Sequence, residues 1–67
     1  MDKLKIAKKL IKLREKAHIS REKVAVDLHI SYSAVSAYET GERIPRDELK
    51  KRIAEYFNVS VEELFYA

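Results

Sequence analysis

The side chains best suited to recognition chemistry lie in one short stretch near the middle of this 67-residue chain. Tyr32, Ser33, Ser36 and Ala37 are spaced so that a helix would carry them on one outward face. That face is small, polar and uncharged, whereas ordinary solvent-facing helix surfaces are rich in Lys and Glu. We therefore interpret it as a contact surface.

Two short helices joined by a tight turn must position this face. Ser20 and Ser31 are each suited to cap a helix, because a serine hydroxyl accepts a hydrogen bond from an unpaired N–H of the first turn. The caps predict helices over residues 21–28 and 32–39. The apolar residues expected to pack between these helices are Val24, Ala25, Leu28, Val35 and Tyr38, with Ile30 in the turn.

Catalytic and metal-binding chemistry has no support in the sequence. The chain contains no nucleophile–base set, no glycine-rich phosphate loop and no metal-ligand spacing. It also has no cysteine, and therefore neither a disulfide framework nor thiolate chemistry. We expect a protein that is not an enzyme and holds no cofactor or metal.

Length and composition favour one small helical domain spanning residues 1–67. A chain of this size buries only about 60% of its unfolded surface. The single Gly and single Pro favour helices with short connections over hairpins. No stretch approaches the roughly 20 apolar residues of a membrane span, and charges interrupt the N-terminus too often for a signal peptide. A cytoplasmic location is the simplest expectation.

Positive charge is concentrated in the N-terminal third of the chain. Residues 1–23 carry a net charge of +6, whereas residues 24–67 carry −3. The basic part could face a polyanion while the acidic part faces away. Alternatively, its lysines are simply solvated on a helix surface.

The first helix is predicted to run from about residue 2 to residue 17. Ile6, Leu10, Leu13 and Ala17 recur at helical period and form one apolar stripe. A basic amphipathic helix can also lie on an anionic membrane, but this one lacks a Trp or Phe on its apolar side. We expect no membrane association.

Five residues are predicted to end helices or turn the chain. His18 and His29 follow predicted helices, where a closing residue often adopts positive φ, and His is enriched among the non-glycine residues found there. A metal site or a pH switch is the alternative interpretation of the histidines. Gly41, Pro45 and Asn58 delimit two further helices, predicted over residues 47–57 and 61–65.

The chain resembles the phage-repressor/Cro family of bacterial helix-turn-helix regulators, also called the XRE family. The resemblance covers nearly the whole chain in order and spacing. It implies an all-α, compact five-helix fold like that of the lambda repressor, with the motif at about residues 20–39. The residues that carry it are 13–15 (LRE), 19–25 (ISREKVA), 28–31 (LHIS), 35–41 (VSAYETG), Pro45, Ile53, Ala54 and 59–64 (VSVEEL).

In this family the second helix of the motif enters the major groove of DNA while the first crosses the backbone. Arg21, Thr40 and Arg43 match backbone-contacting positions, and an Arg14–Glu39 ion pair is expected to be structural. No base-contacting position carries the bidentate pairing of Arg with guanine or Gln with adenine, so direct specificity should be modest. The implied DNA-binding residues are Arg21, Ser31, Tyr32, Ser33, Ser36, Ala37, Thr40 and Arg43.

The resemblance also implies a transcriptional regulator, more often a repressor, that binds a two-fold DNA operator as a homodimer. Four of the six aromatic residues lie in the last dozen positions, more than so small a domain should bury. The expected dimer interface comprises Tyr56, Val59, Val61, Leu64, Phe65 and Tyr66. The alternative is that these residues simply supplement the core. A rival function is a protein-interaction module of the same fold, such as an antitoxin-type subunit, and a regulatory protein partner fits either function.

Overall fold

The computed structural model describes residues 2–67 as five helical elements, without a strand in that range. The all-helical architecture expected from the sequence is confirmed. The helices Arg21–Leu28 and Tyr32–Thr40 form the predicted helix-turn-helix. The elements are α1 (Lys3–Lys16), α2 (Arg21–Leu28), α3 (Tyr32–Thr40), α4 (Asp47–Tyr56) and a short π-helical C-terminal turn (Glu62–Tyr66).

Side-chain caps begin the first three helices. The Asp2 carboxylate accepts hydrogen bonds from the first turn of α1. The Ser20 hydroxyl accepts from the amide of Lys23 at 3.1 Å, and the Ser31 hydroxyl from that of Ala34 at 3.0 Å. Each cap satisfies an amide that the helix itself leaves unpaired. Both predicted serine caps are confirmed.

Left-handed residues end the helices where the sequence indicated. His18, His29 and Asn58 have φ of 58°, 56° and 57°, and Gly41 has φ of 80°. A Cβ at Gly41 would lie 2.9 Å from the side chain of Leu4, so a larger residue there would also meet α1. The conformational interpretation of both histidines is confirmed. Within residues 2–67 no group of three or more His, Cys, Asp and Glu could hold a metal ion.

The core forms where α1 packs against the motif and the C-terminal segments close over it. Apolar side chains from all five elements contribute, as expected from their periodicity. No helix within residues 2–67 has the length and apolar character needed to cross a membrane. The clustered core residues are Ile6, Leu10, Val24, Ala25, Leu28, Ala34, Val35, Tyr38, Ile53, Leu64 and Phe65.

Helix α4 is fastened to α2 by two polar contacts. The Tyr56 hydroxyl donates to Asp27 at 2.6 Å, and the Arg52 guanidinium donates to the backbone carbonyl of Leu28. Burial, together with Asp27, raises the pKa of Tyr56 to about 12. Tyr56 was expected at a dimer interface. Instead it is half-buried and joins two helices of the same domain.

The C-terminal turn belongs to the core. Leu64 and Phe65 are buried, and Phe65 is only 3% exposed, so their expected place on a dimer surface is wrong. The turn packs across α1 and removes their apolar area from water, which outweighs leaving it exposed. Val59 and Val61 are half-buried against the same core. Of the expected interface residues, Tyr66 is the most exposed.

Lys50 anchors this turn from α4, which sequence reasoning missed. Its side chain is buried, and its ammonium donates to the Tyr66 hydroxyl at 3.0 Å and to Asp47 at 3.3 Å. The hydrogen bond that Lys50 donates to the Tyr66 hydroxyl raises the pKa of Lys50 and keeps it charged. The aliphatic stem of Lys50 occupies the buried position, while the charged end reaches a partner.

Replacing Phe65 with Ala should lower the free energy of unfolding by about 3–5 kcal/mol, because it removes a buried aromatic side chain and leaves a cavity. Urea unfolding followed by circular dichroism measures this loss. Tyr66→Ala, which removes an exposed ring at the neighbouring position, is the matched control and should cost about 1 kcal/mol. A Phe65→Ala protein that keeps its stability but loses mass in sedimentation would instead place Phe65 at a dimer interface.

Candidate nucleic-acid interface

A buried carboxylate links the first three helices. Glu39 on α3 has a side chain only 5% exposed, and it accepts from Arg14 Nε of α1 at 2.7 Å. Arg14 also donates to the carbonyl of Ile19 at 3.0 Å, which ties the loop before α2 into the same cluster. The predicted Arg14–Glu39 ion pair is confirmed.

Arg21 completes this cluster from the first position of α2. Its Nε donates to Glu39 at 2.8 Å, so one carboxylate serves two guanidinium groups. Sequence reasoning gave Arg21 a phosphate contact alone and missed this bond. The signal was present, since Glu39 faces Arg14 and Arg21 begins the helix that packs beside α3. We name Arg14, Arg21 and Glu39 the ionic cluster.

The two arginines of the ionic cluster differ in what they can do. Arg14 is 12% exposed and committed to the protein, whereas Arg21 is 42% exposed. The hydrogen bond to Glu39 raises the pKa of Arg21, so its charge persists at any ordinary pH. Because Glu39 takes Nε, the terminal nitrogens of Arg21 can donate to a second anion. Arg21 is therefore a held cation at the motif surface.

The uncharged face of α3 lies beside this cation. Tyr32 and Ser33 in the first turn are exposed, and Ser36 one turn later is half-buried. Ser31 is exposed too, although its hydroxyl oxygen serves as the helix cap. These residues present hydroxyl groups and one aromatic ring, which can form hydrogen bonds and packing contacts with another molecule.

Comparison with known proteins agrees with this geometry. Residues 10–64 match a protein-family model described as helix-turn-helix. The chain belongs to the XRE family of helix-turn-helix regulators. It is also 36% identical, over 56 residues, to the HTH-type transcriptional activator BcrR of Enterococcus faecalis. The alignment covers 84% of this chain but only 28% of that relative's length. No solved structure gave a significant match.

One residue of the expected XRE-type contact face is not on the surface. Ala37 is only 7% exposed, so placing it on the outward face was wrong. Its carbonyl accepts from the amides of Glu42 and Arg43 at 3.0 and 3.3 Å, and from the Thr40 hydroxyl at 3.3 Å. These hydrogen bonds cap the carboxyl end of α3, where the left-handed Gly41 ends the helix. A helical projection shows only the helix itself and cannot reveal which of its sides the rest of the fold covers.

The residues after α3 complete the candidate interface of this XRE-family domain. Thr40 and Arg43 are both exposed, as expected for residues that contact DNA backbone. The Arg43 guanidinium lies 5.5 Å from the centre of the Tyr38 ring, a cation–π distance that restrains the side chain. Arg21 and Arg43 therefore lie near the start and after the end of the motif, each held by a neighbouring side chain.

The ionic cluster predicts unequal costs for its two arginines. Arg14→Met should lower the free energy of unfolding by about 3 kcal/mol, because it breaks a buried pair. Arg21→Met should cost much less, because Arg21 is close to half exposed and Arg14 still neutralises Glu39. Urea unfolding of the two variants at one salt concentration provides the comparison. Equal costs would contradict the assignment of Arg14 to structure and Arg21 to the surface.

Proposed function

We propose that this domain binds double-stranded DNA, with α3 in the major groove and α2 across the phosphate backbone. The observation that carries the proposal is the position of Arg21, a cation that Glu39 restrains at the surface of the motif. Arg21 is paired with Glu39 through Nε, half exposed and able to donate to a second anion.

Arg21 and Arg43 supply the sequence-independent part of binding in this proposal. Each neutralises a phosphate and releases counterions, which makes affinity fall with salt. The amides at the start of α2 add favourable dipoles for a phosphate near Arg21. Thr40 serves as an uncharged backbone contact. Because both arginines are restrained before binding, little side-chain entropy is lost when they meet DNA.

Sequence is read in this proposal by Tyr32, Ser33 and Ser36, with Ser31 adjacent. A serine hydroxyl can bond several base edges, and a tyrosine can pack and make one hydrogen bond. None of these side chains forms a bidentate pair with a base. Discrimination among sequences therefore depends partly on water and on the deformability of the DNA.

We propose a homodimer on a two-fold operator as the working form. A two-fold protein presents two copies of α3, about one helical turn apart, to two half-sites. With Leu64 and Phe65 in the core, the dimer contact expected at the C-terminus would have to use Tyr66 beside the half-buried Val61. In this proposal the protein acts in the bacterial cytoplasm, where duplex DNA is accessible.

The sign of regulation follows from where the operator lies and what the bound protein touches. The family resemblance favoured repression, whereas the relative from Enterococcus faecalis is named an activator. Binding an operator is common to both modes. We therefore confine the proposal to operator binding in transcriptional regulation.

Selection of randomised duplex DNA by the purified protein tests this function. We expect enrichment of inverted half-sites spaced about one helical turn apart. Single enriched half-sites would keep DNA binding but contradict the homodimer. Failure of the folded protein to enrich any sequence, or to bind duplex at low salt, would contradict the function and favour a protein-interaction module.

The same assay with Arg21→Met locates the interface. Losing one phosphate contact should weaken binding to all sequences alike and lower the salt slope by about one unit. Lys12→Met, which removes the same charge from α1 outside the motif, is the matched control and should leave the slope unchanged. An Arg21→Met protein that binds like the control would place the DNA on another face.

A further inference from the structure

The lysines of α1 do not share a face with the motif. Lys9, Lys12 and Lys16 form one stripe along the helix. At about 100° per residue, this stripe is turned roughly 140–160° from Arg14. Arg14 points to Glu39 on α3, so the stripe faces away from the candidate DNA surface. Much of the positive charge in the N-terminal third is thus unavailable to DNA bound by α3.

An apolar groove runs beside this stripe, between α1 and the C-terminal turn. Its volume is about 370 Å³, and Leu13, Val59 and Leu64 form its apolar lining. Lys9, Lys12 and Lys16 also line it, all from α1. We call it the lysine-rimmed groove. It combines a recessed apolar floor with a rim of one sign of charge.

The rim charges are largely uncompensated. Lys12 and Lys16 form no ion pair with any residue in the range 2–67. Lys9 donates to the carbonyls of Glu63 and Ala67 at 2.7 and 3.3 Å, which fixes one wall of the groove. Glu63 carries the single acidic side chain among the lining residues. The groove therefore offers a positive potential over an apolar surface, which an acidic and apolar ligand complements.

We propose that the lysine-rimmed groove binds a short amphipathic segment of another protein, with acidic residues flanking apolar ones. The apolar side chains would fill the floor, and the carboxylates would pair with Lys12 and Lys16. Recognition of an amphipathic helix by an apolar groove is a recurring mode. Because the groove faces away from Glu39, such a partner binds while α3 is on DNA.

Other occupants fit this surface less well. A nucleic acid would pair its phosphates with the lysines but gain nothing from the apolar floor. A membrane inserts protruding apolar side chains, whereas those of Leu13, Val59 and Leu64 are half-buried or buried. A second copy of the chain bound to the same face through a two-fold axis would place its own lysine stripe opposite this one. The like charges of the two stripes would then repel each other.

Selection from a random-peptide display library on the purified full chain tests the proposal. We expect enriched peptides that combine acidic with aliphatic or aromatic residues. Their affinity is measured by fluorescence anisotropy of labelled synthetic copies. The double variant Lys12→Glu, Lys16→Glu should bind them at least about tenfold more weakly, since two charge pairs become repulsive.

Lys8→Glu, Lys51→Glu is the matched control, because it changes net charge equally at exposed sites that do not line the groove. The affinity of this control for the peptides should stay within about threefold of the parent's. Its changed charges lie outside the groove and act on the peptide only at long range, where salt screens them. Thermal unfolding confirms that both variants fold. Both should also bind duplex DNA equally, which separates this proposal from the function of the motif.

Four results would overturn the proposal. The first is a library that yields no acidic–apolar peptides, and the second is equal binding of the selected peptides to both double variants. The third is binding of anionic phospholipid vesicles in competition with the peptides, which would make the groove a membrane site. The fourth is self-association in sedimentation that the Lys12→Glu, Lys16→Glu variant abolishes, which would assign the groove to a second copy of the chain.

Discussion

The carboxylate of Glu39 is the constraint on which the arrangement of this domain depends. Helices of eight and nine residues such as α2 and α3 are too short to be stable alone, so tertiary contacts must fix their orientation. Apolar packing supplies most of the stabilisation but does little to fix the orientation of these helices. The two hydrogen-bonded arginines fix this orientation, because charged groups that share one buried acceptor have few alternative geometries. Glu39 thereby sets the angle of the motif and the position of Arg21 together.

Local chemistry made much of the fold predictable. Serine caps, left-handed residues such as His29, and the apolar period of α1 are properties of a few neighbouring residues. What sequence reasoning missed depends on distant segments. Phe65 enters the core because the C-terminal turn crosses α1, and Lys50 is buried because Tyr66 reaches it. Ala37 is buried although the helical period placed it on the outward face of α3. None of these contacts has a local signature.

The domain presents two chemically different surfaces. Around α3, hydroxyl groups lie between restrained guanidinium groups such as Arg21, a pattern suited to phosphates and base edges. Beside α1, ammonium groups border an apolar floor, a pattern suited to an acidic protein segment. Arginine suits the first surface because its planar group can keep an internal partner while donating outward. Lysine suits the second because it is a flexible point charge at a solvated rim.

The affinity of Glu39→Gln for its selected duplex tests the central claim most directly. Removing a negative charge near DNA should tighten binding on electrostatic grounds alone. If Glu39 positions Arg21, the variant should instead bind about tenfold more weakly, at a temperature where it remains folded. Glu42→Gln removes the same charge from an exposed site and should bind as tightly as the parent or slightly more so. Binding by Glu39→Gln as tight as that of Glu42→Gln would contradict the account.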